Sequence, residues 1–137
     1  MRKLALVLLL GLWSVPFVVA QDKNSEAGQK AADHWLAVVD KGDYAASYER
    51  ASSLFKSAVS KDDWVQKVKA VRDPLGKVIS RKLQSAQYTT TIPGAPDGEY
   101  VVCQYQTSFE NKKSAIETVV TMLDKDEQWR VSGYFIK

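Results

Sequence analysis

The amino-acid sequence predicts an α+β domain in which N-terminal helices pack on one face of an antiparallel β-meander. Three observations lead to this prediction. Apolar residues recur at helical spacing as far as Pro74, the apolar period changes to two after Gly76, and turn-forming residues separate the alternating segments. A run of helices followed by a run of strands is typical of α+β proteins.

Three helices are predicted in the first half of the chain. The first begins with Ser25 as its cap and stops at Gly42, and Asp43 then caps a second helix. Ser60 opens a capping box before the third helix, and the dipeptide 73–74 (Asp-Pro) ends it. The inward residues of this third helix are predicted to be Trp64, Val65, Val68 and Val71.

Alternation of apolar and polar residues predicts three or four strands after Gly76. The PGAPDG stretch, 93–98, suits the corner of a hairpin, because glycine allows positive φ and proline presets φ. Pairing apolar faces places Cys103 opposite Val120, and Val120 opposite Val131. The inward residues are then Val101, Cys103, Tyr105, Thr107 and Phe109, followed by Ile116, Thr118, Val120 and Met122, and then by Trp129, Val131, Gly133 and Phe135.

The chain begins with the pattern of a secretory signal peptide. Arg2 and Lys3 precede an uncharged run that ends in small residues at Ala20. We expect residues 1–20 to be removed, with a membrane anchor as the rival interpretation, so that the protein contacts the membrane only through this segment. The mature chain would have a short tail, 21–26, and a single domain, 27–137. The periplasm is the expected location, with secretion as the alternative.

The charge balance argues against nucleic acid as a partner. Removal of Arg2 and Lys3 from the 19 basic residues leaves 17 against 16 acidic residues. A nearly neutral exported protein has no global attraction to a polyanion.

Four segments of the chain are distinctive: PLGKVISRKL (74–83), TTTIPGAPDGEYVV (89–102), TSFENKKSAIET (107–118) and QWRVSGYFIK (128–137). They resemble the family catalogued as domain of unknown function 4019, over residues 27–137. The resemblance implies an exported bacterial protein with no established activity and no catalytic residues to transfer. It also implies a fold similar to the nuclear transport factor 2-like or cystatin-like cone, in which helices close over a curved sheet and leave a pocket.

Polar residues predicted to point into such a cone would line a small-ligand pocket. These residues are His34, Tyr88, Tyr105 and Thr118. No carboxylate accompanies them, and general acid–base catalysis usually needs a tuned pair. Asp33 and His34 diverge by about 100° on a helix and are not expected to point into one pocket. We therefore expect a non-catalytic binding or interaction module, with a small cofactor-free isomerase or dehydratase as the alternative.

Metal and cofactor sites are not expected. Cys103 and His34 are the single cysteine and histidine of the chain, and they are too far apart in sequence for any metal-ligand spacing. Cys103 lies in the middle of a predicted strand on its apolar face, where a thiol behaves as a small hydrophobe.

The outer face of the predicted sheet is a second candidate site. Apolar residues beside a polar cluster suggest a protein contact, with a homodimer as one outcome, although a solvated sheet face would explain the same pattern. The residues assigned to this face are Tyr100, Val102, Glu117, Val119, Arg130 and Tyr134.

Six basic residues lie between Trp64 and Pro96, with Asp73 as the one acid near them. A solvated surface is the simple explanation, and contact with an anionic envelope component is the alternative. The six are Lys67, Lys69, Arg72, Lys77, Arg81 and Lys82.

Overall fold

The protein has four helices followed by four strands in a computed structural model that describes residues 22–137. The elements are α1 (Lys23–Asp40), α2 (Tyr44–Glu49), α3 (Ser53–Ala58), α4 (Lys61–Leu75), β1 (Val78–Thr89), β2 (Tyr100–Phe109), β3 (Lys112–Leu123) and β4 (Trp129–Ile136). The strands form one antiparallel sheet in the order β1-β2-β3-β4. The predicted α+β class is confirmed. The predicted signal peptide, residues 1–20, lies outside the described residues.

Helix α1 begins earlier than predicted. The Asp22 carboxylate accepts a hydrogen bond from the backbone N–H of Asn24 at 3.3 Å and caps the helix, whereas Ser25 is buried inside it. Residues 23–26, which were expected to form a tail, are therefore helical. No helix among residues 22–137 is long and apolar enough to cross a membrane.

The predicted caps of the later helices are confirmed. Asp43 accepts from the N–H of Ala46 at 3.2 Å, and Ser60 accepts from the N–H of Asp63 at 3.2 Å. Helix α4 continues past the predicted stop to Leu75. Its Val71 is 50% exposed, so the inward orientation predicted for Val71 is wrong, and the neighbouring Arg72 is buried instead.

The first helix lies directly against the inner face of the sheet. A Cβ atom on Gly28 would stand 2.4 Å from Cγ2 of Val101, closer than non-bonded atoms approach, so this contact requires glycine. The Thr121 hydroxyl donates to the Gly28 carbonyl at 3.1 Å. The core between helix and sheet includes Ala32, Trp35, Leu36, Val39, Val68, Val101, Cys103, Val119 and Val131.

The PGAPDG stretch forms the β1–β2 hairpin corner, as predicted. Gly94 has φ of +81°, and the N–H of Gly98 donates to the Thr90 carbonyl at 3.1 Å. The loop folds over Tyr100, whose hydroxyl donates to the Pro96 carbonyl at 2.5 Å. Tyr100 is therefore buried by its own loop, and its predicted place on an open outer face is wrong.

Strand β2 buries the residues predicted for it, but β3 has the opposite orientation. The β2–β3 turn is shorter than assumed, because Phe109 pairs with Lys112, and a bulge follows. Cys103 consequently pairs with Val119 and not with Val120. A one-residue change of register turns every side chain of a strand to the other face. The buried residues of β3 are Ala115, Glu117, Val119 and Thr121, and the outward ones are Ile116, Thr118, Val120 and Met122.

A β-bulge in β4 changes the orientation of its second half. The register shifts between Val131 and Gly133, which leaves one residue of β4 unpaired. Val131 and Tyr134 therefore both face the core, whereas Phe135 is 62% exposed. The predicted inward orientation of Phe135 and the predicted outward orientation of Tyr134 are both wrong.

Candidate functional site

A buried carboxylate lies at the centre of the inner sheet face. Glu117, on β3, is 0% exposed. It accepts hydrogen bonds from Nε of Arg81 at 2.7 Å and from the Thr107 hydroxyl at 2.5 Å. The Tyr134 hydroxyl, on β4, donates to its second oxygen. Glu117 thus has the charged and hydrogen-bonding partners that a buried carboxylate requires.

Arginine side chains extend this cluster to the helices. Arg81 also donates to Asp40, the last residue of α1, at 2.7 and 3.0 Å. Arg72, on α4, donates to Asp40 at 2.9 Å and to the Tyr134 hydroxyl at 3.3 Å. The bonds close into a ring that links α1 and α4 to β1, β3 and β4. We call Asp40, Arg72, Arg81, Glu117 and Tyr134 the charge ring.

The charge ring contains two arginines and two carboxylates, so its formal charges cancel. Burial by itself raises the pKa of Asp40, but hydrogen bonds and charge attraction from Arg81 and Arg72 outweigh burial and leave this pKa lowered. Burial and the neighbouring Glu117 carboxylate raise the pKa of Tyr134. The lowered pKa favours the ionised form of Asp40, and the raised pKa favours the protonated form of Tyr134.

One polar atom of the charge ring has no acceptor among residues 22–137. This atom is the buried Nε of Arg72, whose guanidinium carbon lies 5.1 Å from the centre of the Phe109 ring. Contact with an aromatic face offers partial compensation to a buried cation.

The predicted pocket residues do not form one site. Tyr88 and Tyr105 lie on the inner face, where their hydroxyls donate to Glu99 at 2.9 Å and to Asp33 at 2.6 Å. Thr118 points outward through the opposite face. The exposed His34 is on the surface of α1. The sheet separates Thr118 from the other three, because β3 has the register described above.

His34 lines a groove between α1, the end of α2 and the start of β4. The groove has a volume of about 900 Å³. Asp33 lines it as well, and its carboxylate accepts a hydrogen bond from the Tyr105 hydroxyl at 2.6 Å.

The predicted interaction face also needs correction. Val119 and Glu117 are buried, and Tyr134 packs against Trp35 with ring centres 5.1 Å apart. Val102 is half-buried on the outer face, as predicted. Arg130 is held by two bonds to Asp126, at 2.6 and 2.7 Å.

The face turned away from the helices consists of other residues. We call Val102, Ile116, Thr118, Val120, Met122 and Phe135 the outer face. A hollow of about 370 Å³ lies in it, lined by Gln84, Gln104, Ile116, Thr118, Phe135 and Lys137.

Half of the basic residues proposed for an anionic partner are in ion pairs. Arg72 and Arg81 belong to the charge ring, and Lys69 pairs with Asp73 at 3.4 Å. The remaining three, Lys67, Lys77 and Lys82, are exposed. They form a weaker basic surface than the sequence suggested.

Cys103 is buried at 0% exposure, as its strand position predicted. Burial raises the pKa of its thiol to about 12, so the thiolate is not populated at neutral pH. No group of metal-ligating side chains occurs among residues 22–137.

Fold and site together define a small α+β protein with an internally neutralised core and an uncovered sheet face. The chain belongs to the family described as protein of unknown function DUF4019, whose model matches residues 31–134. The resemblance of the sequence segments to this family is thereby confirmed. No curated protein matches the chain.

Proposed function

We propose that this protein is a non-catalytic exported envelope protein that acts as an interaction module through its outer face. The first partner that this face suits is a second copy of the chain. The observation that supports this most strongly is the orientation of β3.

Strand β3 turns its more apolar side away from the helices. Ile116, Val120 and Met122 are directed outward and are only half-buried. Glu117 and Thr121 are buried on the other side. A protein normally limits contiguous apolar exposure unless a partner covers it. The outer face is therefore the best candidate for a contact surface.

The shape of the outer face suits a two-fold contact. Phe135, 62% exposed, stands at the margin of the hollow lined by Ile116 and Thr118. In an isologous dimer the same surface meets itself, so the Phe135 ring of each copy can enter the hollow of the other. Four strands about 4.8 Å apart and about ten residues long span about 600 Å², close to the ~800 Å² that stable interfaces bury per partner.

The charge ring supports a non-catalytic role. Asp40 and Glu117 already accept hydrogen bonds from arginine, and a general base needs a lone pair that can reach the substrate. The alternative, an isomerase or dehydratase, would require Glu117 to exchange Arg81 or Tyr134 for a substrate.

Sedimentation velocity at high micromolar concentration tests the proposal. Phe135→Lys adds a charge to the outer face without touching the core, and Val71→Lys is its matched control on the helix side, where Val71 is 50% exposed. Val119, which the sequence placed on the outer face, is buried, so Val119→Lys would disturb the core and cannot serve as this test. We expect wild type and Val71→Lys to sediment as dimers and Phe135→Lys as a monomer. A monomeric wild type would refute self-association through this face.

Export is tested separately. The basic start and apolar run of residues 1–20 support cleavage after Ala20. Mass spectrometry of the protein from its host should find Gln21 as the first residue. An intact Met1 in a membrane fraction would contradict this part of the proposal.

A further inference from the structure

The groove beside α1 is a second surface, independent of the outer face. One wall is the exposed flank of α1, with Lys30 and His34. The opposite wall is formed by Arg50 at the end of α2 and by Glu127 in the β3–β4 turn, and Trp129 lies at the start of β4. Its volume, about 900 Å³, is within the range of small-molecule sites. Because it lies on the helix side, pairing of outer faces would leave it open.

Trp129 differs from the other tryptophans of the described chain. The indole N–H of Trp35 donates to the Ser47 carbonyl at 2.9 Å, and that of Trp64 donates to the Ser47 hydroxyl at 2.9 Å. Trp129 is half-buried, and its indole N–H has no protein acceptor among residues 22–137. It therefore presents both an apolar ring and a free donor at the groove.

The charges around the groove balance. Arg130 is bound to Asp126, and Glu49 is bound to Lys61 at 2.7 Å. Among the lining side chains without a partner in residues 22–137 are two cations, Lys30 and Arg50, and one anion, Glu127. Lys23 and Glu26, also in the lining, add one charge of each sign, and Asp33, which accepts a hydrogen bond from the neutral Tyr105 hydroxyl, adds a further anion. A groove lining that offers both hydrogen-bond donors and hydrogen-bond acceptors and has little net charge suits a polar, uncharged ligand.

Two other ligand classes fit less well. A peptide that extended the sheet would need the free edge of β4, but the N–H of Ser52 already donates to the Val131 carbonyl there at 2.8 Å. An acyl chain would need a dry channel, whereas charged side chains line both walls of this groove.

We propose that the groove binds an uncharged oligosaccharide, with Trp129 as the platform for one sugar ring. A sugar ring has an apolar C–H face that can stack on an indole and hydroxyls at its margin that both donate and accept. Arg50 and Lys30 would donate to sugar oxygens, and Glu127 would accept from hydroxyls. The lining of α1 from Lys23 to His34 extends about 16 Å, at about 1.5 Å per residue. That length suits several sugar rings in a row.

Isothermal titration of the mature protein with defined tetrasaccharides tests this inference. The probes are the β-1,4-linked tetramers of glucose and of N-acetylglucosamine and the α-1,4-linked tetramer of glucose. We expect saturable binding of at least one of them. Trp129→Ala should weaken it about tenfold and Arg50→Ala about threefold.

Controls separate loss of binding from loss of fold. Lys67→Ala removes an exposed lysine that is not part of the groove lining and should leave binding unchanged. Arg50→Ala keeps the test valid if Trp129→Ala unfolds, because the Arg50 side chain is exposed. Failure of every tetrasaccharide to bind at millimolar concentration would overturn the inference. An affinity that is the same in wild type, Trp129→Ala and Arg50→Ala would also overturn it. Phe135→Lys should bind sugar with the affinity of the wild type. The sugar-binding test can therefore fail or succeed independently of the dimerisation test on the outer face.

Discussion

The two faces of the sheet differ in the charged groups that they bury and in the apolar surface that they expose. The inner face buries Glu117 against the helices, and the charge ring neutralises it together with the buried Arg72 of α4. Among residues 22–137 no helix lies above the outer face, which presents aliphatic side chains and Phe135. Hydrophobicity alone would favour the opposite orientation of β3, with Ile116, Val120 and Met122 toward the helices and Glu117 outward.

Ion pairing helps to determine the orientation of β3. A reversed β3 would turn Glu117 outward and leave Arg81 and Arg72 without its charge. Breaking a buried ion pair costs about 3–5 kcal/mol, while full burial of one aliphatic side chain contributes about 1.5–3 kcal/mol. Reversal of β3 would bury three outward aliphatic side chains but would also turn Ala115, Val119 and Thr121 outward, so its net gain is that of about one or two side chains. The two effects are therefore of similar size, and the exposed apolar face follows from pairing the arginines.

Removal of the buried carboxylate should have the largest effect. Glu117→Ala leaves Nε of Arg81 and the Tyr134 hydroxyl without their acceptor, and we expect a loss of about 3–5 kcal/mol in the free energy of unfolding, measured with urea. Glu117→Gln, which keeps the shape, should lose less. Thr118→Ala, on the outer face of the same strand, should stay within about 0.5 kcal/mol. Equal losses at positions 117 and 118 would contradict the distinction between the faces.

A smaller loss is expected where α1 approaches the inner face. The new methyl group of Gly28→Ala would collide with Val101, and overpacking of this kind costs about 1–3 kcal/mol. Lys30→Ala, on the exposed flank of the same helix, should change the unfolding free energy by less than about 0.5 kcal/mol. A stabilised Gly28→Ala variant would show that helix propensity outweighs this contact.

The sequence predicts the fold well where local chemistry determines it. Asp43 and Ser60 can be identified as caps because a side-chain oxygen next to a helical pattern satisfies a free N–H. The buried face of β2 follows from alternation alone. The faces of β3 and β4 do not, because one bulge adjoins Phe109 and another lies between Val131 and Gly133, and bulges leave no clear mark in the alternation.

The charge ring was harder to predict than the strands. Arg81 and Glu117 are 36 residues apart, and their contact depends on two strand registers. One signal was present: Glu117 is a lone charge in an otherwise uncharged stretch, 114–123, and such a residue calls for a partner elsewhere. The groove beside α1 was not predicted either, because its lining residues come from α1, the end of α2 and the start of β4.

A modest effect is expected at the buried thiol of the inner face. Cys103→Ala should cost about 1 kcal/mol through a small cavity and leave dimerisation and sugar binding unchanged. A thiol reagent at pH 8 should label the wild type only after urea unfolds it, because the thiol is buried and its pKa is raised to about 12. Rapid labelling of the native protein would contradict its burial.

The smallest expected effect is a change in folding stability at acid pH. The pKa of Asp40 is lowered in the folded state, so its contribution to stability is complete above the unfolded pKa of about 3.9 and is lost as pH falls through the folded value. Urea unfolding of wild type and Asp40→Asn should therefore give a stability difference that is constant from pH 7 to pH 5. This difference should shrink below about pH 4. A difference that grew in acid would contradict the ion pairing of Asp40.

Hydroxyl-radical footprinting across a range of protein concentrations tests whether two copies pair through the outer face, because it compares the two sides of the molecule in one sample. Phe135 and Met122 report on the outer face, and Val71, 50% exposed on α4, reports on the helix side. We predict that oxidation of Phe135 and Met122 falls as concentration rises into the high micromolar range, while oxidation of Val71 stays constant. Unchanged oxidation of Phe135 at every concentration, or protection of Val71 in its place, would contradict pairing through the outer face.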